Sequence, residues 1–342
     1  MDERKLVLTG MGMVSPVGYN AAQTCAALRA GIAMFRELPG IVDSYGNPII
    51  AAPLPDLGPD VPLTEKLTVS TWRAIVEALD VVQPRSKSKL LVAIVSAEKE
   101  RSGYPLNIEW LKAALLDRWS HSGEVSFGVY ALGHAGAAAA IKDLSKHLGQ
   151  SQGSVALLVA ADSLITLPTL AYLDSAGRLK SYTRPRGAIP GEAAVALVIE
   201  SVYDLSQRGI IPYCSIDGAG FAVEPVPVNS SEPCLGEGLT HAVYSALDAA
   251  GCDKRNIKEV YCDLNGEEYR THEWMLTLCR ALEEPFLVHP ADCIGDVGAA
   301  SLPLLVAMAG MALQRGYAVN DRVLAWASSD FGSRGAICVR TV

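Results

Sequence analysis

Gly133-His134-Ala135-Gly136-Ala137-Ala138 is echoed later in the chain by Gly295-Asp296-Val297-Gly298-Ala299-Ala300. Both read G-x-x-G-A-A, and both follow an apolar segment. Each opens a run of small residues with helical spacing. Each run leads to an apolar strand pattern ending in a polar cluster, Ala161-Asp162-Ser163 in one case and Ser328-Ser329-Asp330 in the other. Glycine at a helix start lets a second backbone come close. Two such units in equivalent surroundings predict a duplicated α/β core with the two helices packed together at its centre. The expected halves are 1–205 and 206–342, joined as one unit.

Outward from this pair, apolar runs of strand length alternate with helical patterns. Strands are expected at 5–10, 90–96, 125–131, 155–161, 193–200, 260–264, 323–327 and 336–340. Helices are expected at 21–30, 64–82, 108–119, 135–148, 238–250, 267–282 and 299–314. This alternation predicts an α/β fold with parallel sheets covered on both faces. The stretch 40–62 is rich in Pro, Gly and Asp and reads as a surface excursion, and 174–190 is polar and turn-rich.

The chain has 342 residues, half of them hydrophobic, and a formal net charge of −8. Its acidic balance shows no basic cluster along the sequence, which argues against nucleic acid or anionic membrane as partner. Eight cysteines occur, none in a C-x-x-C pair or with zinc-ligand spacing, so no metal site is expected. Scattered thiols of this kind fit a reducing, cytoplasmic compartment. The first residues lack the apolar stretch of a signal peptide. The uncharged run 297–313 is short for a membrane span and reads as a buried helix.

Several segments resemble one family. Leu6-Val7-Leu8-Thr9-Gly10-Met11-Gly12-Met13-Val14-Ser15-Pro16-Val17-Gly18 is similar to the opening strand and turn of β-ketoacyl-ACP synthases, and Ala26-Ala27-Leu28-Arg29-Ala30-Gly31 continues the match. Gly191-Glu192-Ala193-Ala194-Val195-Ala196-Leu197-Val198-Ile199-Glu200 resembles that family's G-E-G-A-x-x-L-V-L-E strand. Ser329-Asp330-Phe331-Gly332-Ser333-Arg334-Gly335-Ala336 resembles its closing turn. The resemblance implies the thiolase-like αβαβα fold, built from two similar halves and usually dimeric.

The chemistry of the family does not carry over residue by residue. The turn that holds its nucleophilic cysteine corresponds to Leu132-Gly133-His134-Ala135-Gly136, which places Gly133 or His134 at the nucleophile. The first family histidine falls on Asn265, and the second on Gly295 or Asp296. The resemblance therefore implies a pseudoenzyme that has lost its Cys-His-His set and needs no cofactor.

Individual residues leave two readings open. His134 is a replacement nucleophile or proton shuttle, or else a neutral, hydrogen-bonded histidine packed at a helix start. Cys293 and Cys262 flank the histidine positions as relocated thiols or as plain packing. Asn265, Glu267, Arg270, His272 and Glu273 form a polar network filling the old pocket, or a helix N-terminus with favourable acids. Phe331 matches the family's aromatic gate or is simple core. Glu192 reads as structural, and Asp162 and Ser163 as caps of the helix that follows them.

Three functions follow. The first is a scaffold or adaptor. Gly177-Arg178-Leu179-Lys180, Pro190-Gly191-Glu192-Ala193-Ala194, Asn265-Gly266-Glu267 and Gly295-Asp296-Val297-Gly298-Ala299-Ala300-Ser301 resemble proteins of bacterial type VI secretion effector loci. The second is a partner of an active ketosynthase, like a chain-length factor. The third is an acyl-thioester enzyme of altered chemistry. The expected partner is a protein: an effector, a chaperone, a ketosynthase-like subunit or a second copy in a homodimer.

Overall fold

The computed structural model describes residues 5–55, 61–80, 89–101, 103–119, 123–148, 154–205 and 209–342. The first half of the chain supplies β1 (Leu6–Val14), α1 (Ala21–Arg29), β2 (Arg36–Val42), β3 (Pro48–Ala51), α2 (Leu63–Leu79), β4 (Lys89–Ser96), α3 (Ile108–Trp119), β5 (Val125–Ala131), α4 (Gly136–Leu148), β6 (Ser154–Ser163), α5 (Leu167–Ser175), β7 (Glu192–Ser201) and α6 (Val202–Leu205). The second supplies β8 (Cys214–Val223), α7 (Glu237–Ala249), β9 (Glu259–Cys262), α8 (Glu268–Ala281), β10 (Phe286–Val288), α9 (Ala291–Ile294), α10 (Ser301–Arg315), β11 (Arg322–Ser328) and β12 (Ser333–Arg340). The expected helix at 64–82 is described to its end at Leu79, and residues 81–82 lie outside the described ones.

Ten strands form one sheet in the order β10-β9-β11-β12-β8-β1-β7-β6-β4-β5. Divided between β8 and β1, it yields two halves of identical topology. In each, the chain's third strand lies at the edge, followed by the second, fourth, fifth and first. The directions repeat as well. β5, β4 and β6 are mutually parallel, and β7 and β1 reverse in turn. β10, β9 and β11 are parallel, and β12 and β8 reverse. The sheet is therefore mixed, not wholly parallel as the alternation suggested. β11 and β12 are joined by a short turn at 329–332, and so short a link connects only antiparallel neighbours.

Side-chain alternation sorts the core into layers. On β6, Ala156, Leu158 and Ala160 face one apolar cluster, while Val155, Leu157, Val159 and Ala161 face another. The first cluster is central and contains the buried faces of α4 and α10. The second lies under α2 and α3, and a third packs α7 and α8 on the far side of the second half. These are the α-β-α-β-α layers of the thiolase-like fold. Helix α10 sits in the middle layer, and every residue from Ser301 to Leu313 is buried. A helix apolar all round belongs in such a position. No helix among the described residues is long and apolar enough to cross a membrane.

The duplication holds, but in another register than the sequence repeat suggested. Gly133–Ala135 and Gly298–Ala300 form matching 3-10 turns, with φ of +61° at Gly133 and +57° at Gly298. Gly133 is thus the counterpart of Gly298, not of Gly295. The identical letters are offset by three because the turn glycine is the first glycine of one motif and the second glycine of the other.

Strand β8 carries no clear strand pattern, since Asp217, Gly218 and Gly220 interrupt it. Those glycines are where α7 crosses the sheet. A Cβ on Gly218 or Gly220 would overlap the carbonyl oxygen of Ala246 or Ala242. Gly12 of β1 stands likewise against Ala74 of α2. The stretch 40–62 also holds more structure than expected. Strands β2 and β3 pair as a small hairpin, and Leu54 is buried, although residues 56–60 lie outside the described ones.

Replacing Gly220 by Ala forces helix and sheet apart. The expected loss is about 1–3 kcal/mol of unfolding free energy, read from the urea midpoint. An unchanged midpoint would mean that α7 is not seated as described.

Candidate functional site

The turns Gly133–Ala135 and Gly298–Ala300 bring the N-termini of α4 and α10 together at the centre. Free N–H groups and the positive ends of two helix dipoles meet there. Each turn is held by a strand end of the opposite half. The Oγ of Ser329 accepts a hydrogen bond from the Ala135 N–H at 3.0 Å and donates to the Leu132 carbonyl at 2.7 Å. Asp162, at the end of β6, accepts the Ala299 N–H at 2.7 Å. Asp162 therefore caps the turn before α10 and not the helix that follows it in sequence, and Arg101 pairs with its other oxygen.

His134, Asn265 and Asp296 converge in this space. The Nε2 of His134 lies 2.7 Å from Oδ1 of Asp296, and both residues are buried. Asn265 donates from Nδ2 to the other oxygen of Asp296 at 2.7 Å and to Glu267 at 2.9 Å. The N–H of Gly298 donates to Asp296 at 3.0 Å. Gly295, with φ of +69°, turns the chain so that Asp296 points inward.

Burial alone would push the His134 pKa down. The Asp296 carboxylate outweighs it and holds the pKa above the ordinary value, with Arg270 opposing. Of the two readings, the packed, hydrogen-bonded histidine at a helix start fits this geometry, and a carboxylate from the other half supplies a counter-charge that the helix dipole alone does not. Burial likewise opposes ionisation of Asp296, but His134 and Arg270 hold its carboxyl well below the usual range. The Nδ1 of His134 is buried and has no hydrogen-bond partner among the described residues.

Arginines organise the surrounding shell. Arg178 grips two carboxylates at once: Glu267 through Nε at 2.6 Å and Nη2 at 2.9 Å, and Asp330 through Nη1 at 2.7 Å and Nη2 at 3.0 Å. Such fork-on-fork pairing is the strongest geometry open to a guanidinium. Arg270 pairs with Asp263 and the Ser328 carbonyl, and its Nη2 lies 3.3 Å from Nε2 of His134. Arg334 is fully buried and donates to Glu273 at 2.6 Å.

The polar cluster foreseen on and before α8 divides by helical spacing. Arg270, Glu273, Trp274 and Thr277 face inward. His272 is exposed, 3.2 Å from the Cys234 carbonyl and outside the central cluster.

The remaining expected residues lie apart from this centre. Cys262 faces the outer cluster with Trp274 and Trp326, and burial pushes its thiol up. Cys293 lies on α9, where its carbonyl accepts the Met34 N–H at 3.0 Å, and burial raises its pKa too. Phe331 is 37% exposed, so neither core packing nor a closed gate describes it. Glu192 is structural. It accepts from Ser163 Oγ and from the Leu54 N–H, each at 2.7 Å.

One central residue gave no signal in the sequence. Glu98 follows β4 in an ordinary polar stretch, yet its buried carboxylate lies against the α-carbon of Gly133. A Cβ added to Gly133 would overlap it. Burial raises the Glu98 pKa, which His134 lowers and Asp330 raises further. A cavity of about 10 Å³ touches Asp263 and Asp296, room for roughly one water molecule.

No family model matches the chain. A stretch of 97 residues is 31% identical to a curated protein named polyketide beta-ketoacyl synthase 2, from Streptomyces cyaneus, and covers 28% of this chain and 22% of that protein. The matched stretch thus spans about a fifth of that relative's length.

Solved structures agree over nearly the whole chain. The ishigamide ketosynthase/chain length factor is 17% identical, with a TM-score of 0.77 over 99% of this chain and 100% of that one. A β-ketoacyl synthase from Burkholderia phymatum STM815 is 17% identical, with a TM-score of 0.79 over 99% of both chains. A type II polyketide synthase acyl-carrier protein in complex with its ketosynthase bound to the hexaketide gives 13% identity and a TM-score of 0.79 over 100% of both chains. The chain has the thiolase-like fold of the β-ketoacyl synthases.

Two expectations follow from the geometry. Asp296→Ala leaves His134 and Arg270 without their shared carboxylate, and breaking a buried pair costs about 3–5 kcal/mol. Urea unfolding measures the loss. The raised His134 pKa has a defined sign. Its stabilisation is complete below the unfolded value near 6.5 and disappears as pH rises through the folded value. The difference in unfolding free energy between the natural chain and His134→Gln is therefore expected to be largest below about pH 6.5 and to shrink as the pH is raised above it.

Proposed function

We propose that this chain is a non-condensing ketosynthase-like subunit that works by binding a partner of the same fold, as a chain-length factor does. The observation that carries the reading is the Glu98 carboxylate standing where a side chain at 133 would project. A condensing site needs a nucleophile on that turn, an oxyanion site and room for an acyl chain. Here the turn residue is Gly133, and the helix N-termini face carboxylates of the chain itself. The arginines that neutralise those carboxylates fill the space around them. His134 is engaged by Asp296, and the buried thiols of Cys262 and Cys293 have no cation close enough to favour a thiolate.

The edge of the sheet supports the partner role. β5 reads Val-Ser-Phe-Gly-Val-Tyr-Ala, with no charge and no proline, and its outer side pairs with nothing among the described residues. Edge strands left so unguarded are ready templates for another chain. Val129 is 46% exposed on it. A ketosynthase-like partner adding its own edge strand would continue the sheet across the pair. Eight free cysteines support a reducing, cytoplasmic setting.

The test is affinity purification of the chain from its native cells, followed by sedimentation. Recovery of a ketosynthase-fold subunit in a stable complex is expected, and Val129→Lys is expected to release the chain as a single subunit. Recovery of a secreted effector in place of a ketosynthase would favour the adaptor reading. A lone chain that decarboxylates malonyl thioesters would overturn both. In a separate experiment, Gly133→Cys is expected to take up acyl groups from thioesters only poorly, because the positive φ at 133 strains a side chain and the Glu98 carboxylate must first move aside. Paired with Glu98→Ala, it gains that space.

A further inference from the structure

On the opposite side of the molecule the fold gathers cations that the sequence scatters. α4 begins at the buried centre and runs for 13 residues, so its far end lies ~20 Å away. There Lys142 and Lys146 of α4, Lys5 before β1, Arg322 of β11 and Arg340 of β12 line one cleft of about 560 Å³. Its floor is apolar, with Leu6, Ile141, Ile216, Ala219 and Ala249. The absence of a basic patch inferred from the linear sequence is thus corrected. Strand ends and a helix end far apart in the chain make one.

Among the described residues lining the cleft, Asp217 is the one carboxylate, and it is already engaged by Lys5 at 3.1 Å and Arg340 at 2.8 Å. Lys146 pairs with Asp143 at 2.8 Å on the exposed helix surface, a contact of little worth. It also complements the negative end of the α4 dipole. Neither argument covers Lys142, which has no carboxylate within ion-pair distance among the described residues, and Arg322 is held by the Cys252 thiol with no carboxylate among them in direct contact. The Nη1 of Arg322 is buried without a hydrogen-bond partner. A buried guanidinium donor left open is costly, and it stands out in a chain of net charge −8.

We propose that this cleft binds a small phosphorylated molecule, with its phosphates on Lys142, Lys146 and Arg322 and its body against Leu6, Ile141 and Ala249. The volume suits a ligand of nucleotide size. Lysine and arginine together match phosphate in charge and geometry. The acidic remainder of the surface opposes a long polyanion, which leaves a compact anion as the occupant. The site is independent of the function proposed for the centre and the β5 edge.

Equilibrium titration of the full chain at low salt tests it, with ADP, inorganic pyrophosphate, adenosine and a short DNA duplex as probes. ADP and pyrophosphate are expected to bind saturably, and adenosine is not. Lys142→Ala, at a half-buried position midway along α4, and Arg322→Gln are each expected to weaken ADP by about tenfold or more. Tighter binding of ADP than of pyrophosphate assigns part of the recognition to the apolar floor. Equal binding assigns it to the phosphates alone. The proposal fails if neither anion binds, if Lys142→Ala binds ADP as the natural chain does, or if the duplex binds as tightly as ADP.

Discussion

Two helices that begin at the same point, facing one another, set the terms for the rest of this molecule. α4 and α10 start buried within the middle layer, where their N-terminal N–H groups need acceptors. A positive potential in a low-dielectric interior draws negative charge. In the family that the sequence resembles, that potential favours a thiolate. In this chain Asp162 and Asp296 bring the negative charge as side chains. Once several carboxylates are buried together, cations must accompany them, and Arg101, Arg178, Arg270 and Arg334 do so.

Such a centre is not a cheap source of stability. Burying paired charges roughly breaks even against an apolar filling, while removing one partner is severe. The free energy of the fold comes from the three apolar clusters between the layers, above all the wholly buried α10. What the charges supply is registration. Ser329 ties the turn of the first half, and Asp162 ties that of the second. Each half therefore positions the other's helix start, and neither turn is complete alone.

Much of the fold was legible because it rests on periodicity and repetition. Strands such as β4, β6 and β7 alternate between two buried faces and are apolar throughout, and small residues mark the starts of α4 and α10. β8 escaped because the feature that seats α7, a pair of glycines, erases the strand pattern. At the site, Asn265, Asp296, His134 and Gly133 were found through a family resemblance carried by short motifs, and they do meet. Glu98 was not, because nothing local marks a carboxylate after a strand as buried, and Arg178 stood in a quoted motif without its double grip on Glu267 and Asp330 being foreseen. Their role exists only once chain segments far apart are brought together. The cationic cleft escaped for the same reason, since Lys5, Lys142 and Arg340 are never neighbours in sequence.

The most direct measurement is the intact mass of the purified chain after incubation with acetyl and longer acyl thioesters, on both coenzyme A and carrier protein. If the centre is filled as described, the mass stays that of the unmodified chain. An added acyl group located on the segment around Gly133 to Ala135 would contradict it.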